Sequence, residues 1–413
     1  MTQIYHADFW GSREDKYRYL QEHDITTVEW TEIFPQSPFY LFTPQDKDLR
    51  KEYKFGWKIT AIMPINTLGF QTHRDHFAID FDHENLHQRL KEFRDLSQSD
   101  DEIRQKYKLK DNRDWKVEDA RKKFRLDNNW KKWLIICLYR PFDWRSCYFS
   151  TVAMDYPRSI LQKNMTMENL SLLCSRQQAT PGFHHVWCAD TPANDCVIST
   201  TSREANQVFP LYIYPDTQNN QGNLFVEKSP NLSSSFITAI REKLGYIPTP
   251  EDIFYYIYAI FHSPTYRQRY AEFLKIDFPR VPLTSNDKLF KDLGAKGQEL
   301  VDLHLMKSKK LNNLITKIGG DGDNAVTEVT YKLKEQRVYI NKSRYFEGIA
   351  PDVWEFKIGG YQVLSKWLKD RKKAKRTLSF DELLHYQKVV VALKQTMQLM
   401  EEIDQLIPSF PIE

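Results

Sequence analysis

The segment that most restricts the architecture lies near the C-terminal end. Ser379-Phe380-Asp381-Glu382 has the form of a capping box, a hydroxyl at the cap and a carboxylate three residues on. Leu383, Tyr386, Val390, Leu393, Met397 and Met400 follow at steps of 3, 4, 3, 4 and 3. That spacing predicts one long helix whose apolar seam packs against other helices. Another helix start stands at Thr249-Pro250-Glu251-Asp252, where a cap, a proline and two acids precede Ile253, Phe254, Ile257, Ile260 and Phe261 at helical spacing. Ser263-Pro264 ends that helix and starts the next, with Tyr266, Tyr270 and Phe273 on one face, and Ser285 begins a third helical region. Residues 236–413 therefore read as a mainly helical lobe. Its interruptions are the turn cluster Gly319-Gly320-Asp321-Gly322-Asp323 and a hairpin-like alternation from Val326 to Ile340.

Residues 46–235 read as a mixed α/β lobe. Trp57 to Met63 alternates and is rich in strand formers, and Leu86 to Leu96 is helical. Short strands are expected at Trp133–Tyr139, His185–Cys188, Asp195–Ser199 and Phe209–Tyr214, with a polar loop from Pro215 to Asn223. Residues 1–45 hold Pro35, Pro38 and Pro44 and one short helix from Arg13 to Glu22, and read as a connector. The expected fold class is α+β, a mixed lobe followed by a mainly helical lobe with a small β-hairpin insertion. With 41% hydrophobic residues in 413, the chain can build cores for two or three domains. No apolar run approaches the roughly 18 residues of a membrane helix. The N-terminus shows no secretory pattern, so a cytoplasmic, membrane-free setting is expected.

Net charge is only +4, yet it is unevenly placed. Asp101 to Lys132 holds 12 basic and 7 acidic residues, and Lys366 to Arg376 holds 7 basic and 1 acidic. Local positive charge is the footprint of a polyanion binder, and the opposing reading is a solvated helix face. Lys372, Lys373, Lys375 and Arg376 have almost no compensating acid, which favours phosphate contact. Five cysteines with no CxxC pair argue against a disulfide framework or a zinc ribbon, although His184 and His185 lie near Cys188 and Cys196.

The motifs of nucleotide, hydrolase and zinc-protease chemistry are missing, as are the adenine-methyltransferase tetrapeptide and its glycine loop. Asp352, Glu355 and Lys357 resemble a metal-dependent nuclease set, but only Val353 and Trp354 separate the two acids, too few for neighbouring strands. Tyr139-Arg140-Pro141-Phe142-Asp143-Trp144-Arg145 places two arginines beside a strand end, where either can meet a phosphate or guanine, or pair with Asp143 to lock a turn. Gly69-Phe70-Gln71-Thr72-His73-Arg74-Asp75 is a similar loop, with Thr72 and Arg74 as candidates. Arg158, Arg176 and Arg203 add basic points. Gln177, Gln178, Gln218, Asn219, Asn220, Gln221 and Asn223 add groups able to read base edges.

Several strings together resemble one family. Ile4 to Tyr17 is similar to the segment that leaves the methyltransferase domain of type ISP restriction–modification enzymes. Tyr139 to Asp143 and Phe209 to Pro215 resemble that family's target-recognition region, and Thr249 to Arg280 is the most specific match. Trp354 to Tyr361 and Trp367 to Arg371 fit too, and single-chain type II restriction–methylation enzymes share the likeness. The resemblance implies a specificity module that grips duplex DNA for an adenine-N6 methyltransferase domain or subunit. It implies no catalytic residue and no cofactor in this chain. S-adenosylmethionine, ATP and Mg are expected only in the complete enzyme. Alternatives are a stand-alone nuclease and a protein-docking subunit that does not touch DNA.

Overall fold

The computed structural model describes residues 3–9, 11–37, 40–44, 46–201, 204–215 and 227–412. Arg203 and the polar stretch from Gln218 to Asn223 fall outside them. The fold is a mixture of helices and small antiparallel sheets in two compact units, one running to Phe55 and one from Gly56 onward. In the first unit, strand Ile4–His6 pairs with Thr31–Ile33. Between them runs helix Arg13–Glu22, whose capping box joins Ser12 and Asp15.

In the second unit, strands Ile79–Asp80, Asp143–Tyr148 and Leu134–Arg140 form an antiparallel sheet. Helices His83–Arg94 and Val117–Leu126 cover it through an aromatic core of Phe77, Phe93, Phe124, Trp130 and Tyr148. The expected strand at Trp133–Tyr139 is present one residue later. Trp57 to Met63 corrects the sequence reading: only Trp57–Lys58 is strand, and Ile59–Ile62 turns into helix. Lys58 supplies the extended backbone before that turn, and both Ile59 and Ile62 are buried by it. Asp195–Ser199 is not a strand either. A four-stranded sheet orders Thr67–Leu68, Asn206–Pro210, Ser171–Ser175 and Val186–Ala189. Asn194 and Asn206 side chains hold the 194–198 backbone as a loop beside it.

Helices Pro250–His262 and Asp287–His304 pack backbone against backbone. A Cβ on Gly297 would lie 1.9 Å from the Tyr255 carbonyl oxygen, so only glycine permits this approach. The last helix is Phe380–Leu406, capped by Ser379 and Glu382 as expected. Its seam holds at Leu383, Tyr386, Val390 and Leu393, then shifts to Thr396, Leu399 and Ile403, leaving Met397 and Met400 half-buried. Val389 to Leu393 is buried at every position, because the helix crosses the molecule's interior rather than lying on one face. The hairpin insertion is a four-stranded sheet, Lys317–Gly319, Tyr345–Glu347, Arg337–Tyr339 and Thr330–Lys332. Phe346 packs its inner face on Tyr386.

The segments before and after residue 235 interlock. Arg280–Val281 pairs with Trp57–Lys58, Tyr361 Oη donates to the Cys196 carbonyl at 2.8 Å, and the Gly359 amide donates to the His184 carbonyl at 2.6 Å. Four cysteines are buried and Cys196 is half-buried. Among the described residues, no helix is long and apolar enough to cross a membrane.

Candidate nucleic-acid interface

The hairpin of Leu134–Arg140 and Asp143–Tyr148 turns at Pro141-Phe142, with Phe142 in the left-handed region at φ 58°. Its tip points inward. Phe142 packs edge-on against Trp187 at 4.9 Å, and its carbonyl accepts from His385 Nε2 at 2.8 Å. Arg140 is consequently buried. Its Nη1 donates to the Tyr139 carbonyl and to Asn194 Oδ1 at 2.9 Å, and its guanidinium stacks 3.9 Å from the Tyr139 ring.

Arg145 forms the turn-locking pair. Nη2 and Nε reach Asp143 Oδ2 at 2.6 and 3.1 Å. The other oxygen, Oδ1, accepts from Arg371 Nη2 at 2.9 Å, out of helix Val363–Lys373. Burial pushes the Asp143 carboxyl up, but Arg371 and Arg145 outweigh it and hold the group well below the usual carboxylate range. Arg145, Arg371 and Arg376 all face the ring of Phe81, at 3.9, 4.9 and 4.9 Å. Arg376 also pairs with Glu382 at 3.2 Å. The structure thus brings the strand-end arginine and the basic C-terminal window to one junction. Sequence reasoning missed Phe81 and Arg371 as its members, because their partners lie far away along the chain.

From that junction Lys372, Lys373 and Lys375 project as exposed side chains with no ion pair among the described residues. Lys372 and Lys373 lie in the last turn of helix Val363–Lys373 and Lys375 just beyond it, where cations also suit the carbonyl end.

Thr72 and Arg74 belong to a second cluster. Gly69 lets the loop press on the backbone of Asn194 and Asp195, where a Cβ would stand 2.4 Å away. Thr72 bonds Asp75, and Arg74 is buried with Nη2 2.6 Å from Asp155 Oδ1 and its face 3.8 Å from the Trp115 ring. Both are occupied internally. Arg158 is half-buried over Tyr156 at 4.9 Å, and Arg176 is exposed, 3.5 Å from Asp277. Gln177 is exposed, while Gln178 donates to the Leu274 carbonyl at 2.8 Å.

The nuclease alternative gains no geometry. Asp352 and Glu355 share the five-residue helix Pro351–Glu355, and among the described residues no cluster of His, Cys, Asp and Glu is arranged for a metal ion. His185 meets Glu204 at 3.4 Å, both fully buried, and not a cysteine.

A model of the Type ISP C-terminal specificity domain matches residues 61–402. No curated protein matches. Among solved structures, a nuclease-deletion mutant of the Type ISP restriction–modification enzyme LlaGI in complex with a DNA substrate mimic aligns at TM-score 0.69 and 20% identity, over 100% of this chain and 33% of that one. A DrdV–DNA complex aligns at TM-score 0.69 and 21% identity, over 97% of this chain and 43% of that one. The ATP-dependent Type ISP enzyme LlaBIII bound to DNA aligns at TM-score 0.69 and 21% identity, over 93% of this chain and 26% of that one. These likenesses establish a shared fold, and the chain spans less than half the length of each.

Proposed function

Since the chain belongs to the family of Type ISP C-terminal specificity domains, we propose that it recognises a short asymmetric site in duplex DNA for a restriction–modification enzyme. The observation that carries this reading is the family match over residues 61–402, joined to a fold shared with three proteins solved in complex with DNA or a DNA substrate mimic. The module works in the cytoplasm and positions an adenine-N6 methyltransferase belonging to another domain or chain. S-adenosylmethionine, ATP and Mg serve that catalytic part. Phosphate contacts supply affinity and base contacts supply specificity.

Selection from a pool of random duplexes in low salt tests the proposal: the chain should enrich one sequence, and an unenriched pool would sink it. The three exposed lysines are the phosphate contacts. Replacing Lys372, Lys373 and Lys375 together with alanine should weaken binding to every duplex alike. The slope of log affinity against log salt should fall by about 0.9 for each phosphate that is no longer neutralised. An unchanged slope would mark these lysines as a solvated helix end.

A further inference from the structure

The loop from Gly69 to Asp75 holds a residue that the internal packing does not account for. His73 has φ 55°, a left-handed backbone that a non-glycine side chain adopts only at a cost. Its side chain is 53% exposed, so it regains little by burial. It is nevertheless held firmly. Nδ1 lies 2.6 Å from Asp155 Oδ2, and the ring stands edge-on to Tyr156 at 5.8 Å. Asp155 is 1% exposed and also takes Arg74 at 2.6 Å and Asn112 Nδ2 at 2.8 Å. Gln71 and Tyr156 exchange backbone hydrogen bonds of 2.9 and 3.0 Å, which tie the two loops together. Tyr156 Oη is anchored in turn on Asp114 at 2.6 Å.

An exposed ring, fixed on one side by a buried carboxylate and carried on a strained backbone, is arranged for use outside the fold. When the ring is neutral, its Nδ1–H donates to the carboxylate and the Nε2 lone pair is left outward, and no described residue bonds Nε2. We infer that His73 is a specificity-determining residue that accepts a hydrogen bond from an exocyclic amino group on a DNA base edge. Adenine N6 and cytosine N4 offer that donor in the major groove. Guanine O6 and thymine O4 would set lone pair against lone pair. The inference rests on the proposed recognition of duplex DNA. It moves base reading from Arg140 and Arg145, which are occupied internally, to a group whose free edge has no partner among the described residues.

His73→Gly tests it, because glycine removes the ring and relieves the left-handed backbone. The full chain and the variant are taken through the same selection from random duplexes, and their melting temperatures are measured. The expected result is a wild-type preference for adenine or cytosine at one position, reduced roughly five- to tenfold in the variant. Other positions should keep their preference, and the melting temperature should hold or rise. An unchanged preference would overturn the inference and leave the recognition reading standing. A uniform fall across all sequences would also overturn it, since that is the mark of a phosphate contact. A wild-type chain that enriches nothing would overturn both.

Discussion

Asp143→Ala should lower the unfolding free energy by about 3–5 kcal/mol, the usual effect of removing one partner from a buried ion pair. Asp143 is 1% exposed, and its two oxygens serve two different cations, Arg145 from its own strand and Arg371 from helix Val363–Lys373. Truncation leaves Arg371, 5% exposed, as a buried charge with Glu382 no nearer than 3.8 Å. The loss joins two parts of the chain, so it should appear as one cooperative shift of the denaturation midpoint. Asp143→Asn keeps the shape without the charge and should lose nearly as much. Arg145→Ala should cost less, since its side chain is 11% exposed and Arg371 still neutralises the carboxylate. A midpoint for Asp143→Ala within experimental error of the wild type would show that water reaches the junction.

The same junction shows what a sequence can and cannot announce. Arg145 and Asp143 stand two residues apart, and their pairing is one of two readings open in the sequence. Arg371 is 228 positions from Asp143. Only the three-dimensional path of helix Val363–Lys373 brings it there, and nothing local announces it. Helices are legible wherever caps and periodicity agree, as at Ser379 and Thr249. The seam of the last helix drifts because a straight helix of 3.6 residues per turn leaves a 3.5-residue stripe after a few turns. Trp57 to Met63 misleads because β-branched and aromatic residues suit any buried surface, and the tertiary setting chooses a helical turn. His73 stands in view within a singled-out loop, but its grip depends on Asp155, 82 positions away.

Stability should fall between pH 7.5 and pH 5.5 by about 1.4 kcal/mol for each histidine that the fold keeps neutral. Five histidines, His184, His185, His262, His304 and His385, are held below their ordinary value by burial and protonate freely once the fold opens. Burial pulls His304 down to about 3, with the Arg267 cation adding to it. His262 is pulled well below its ordinary value by burial, then by Arg267 and His304. For His185 burial wins over the opposing pull of Glu204. Each folded value lies below the unfolded one. The contribution of each ring is therefore complete above about pH 6.5 and is lost as pH falls beneath it, about 1.4 kcal/mol per ring per unit. The hydrogen bonds suit the neutral form. Thr396 Oγ donates to the Ala392 carbonyl, so His304 Nε2 donates to Thr396 at 2.9 Å and Nδ1 accepts from Tyr258 Oη at 2.7 Å. A proton added at Nδ1 would displace that donor inside a packed site, with Trp187 stacked 4.1 Å from the ring. Denaturant midpoints at the two pH values measure the effect. His304→Gln should be less stable at pH 7.5 and lose about 1.4 kcal/mol less on acidification. Glu204, held down to about 2 by Ser199 and the Thr180 and Ala179 amides against its burial, acts only lower, below about 4.5. A wild-type midpoint that stays constant from pH 7.5 to 5.5 would mean that these rings carry their protons inside the fold.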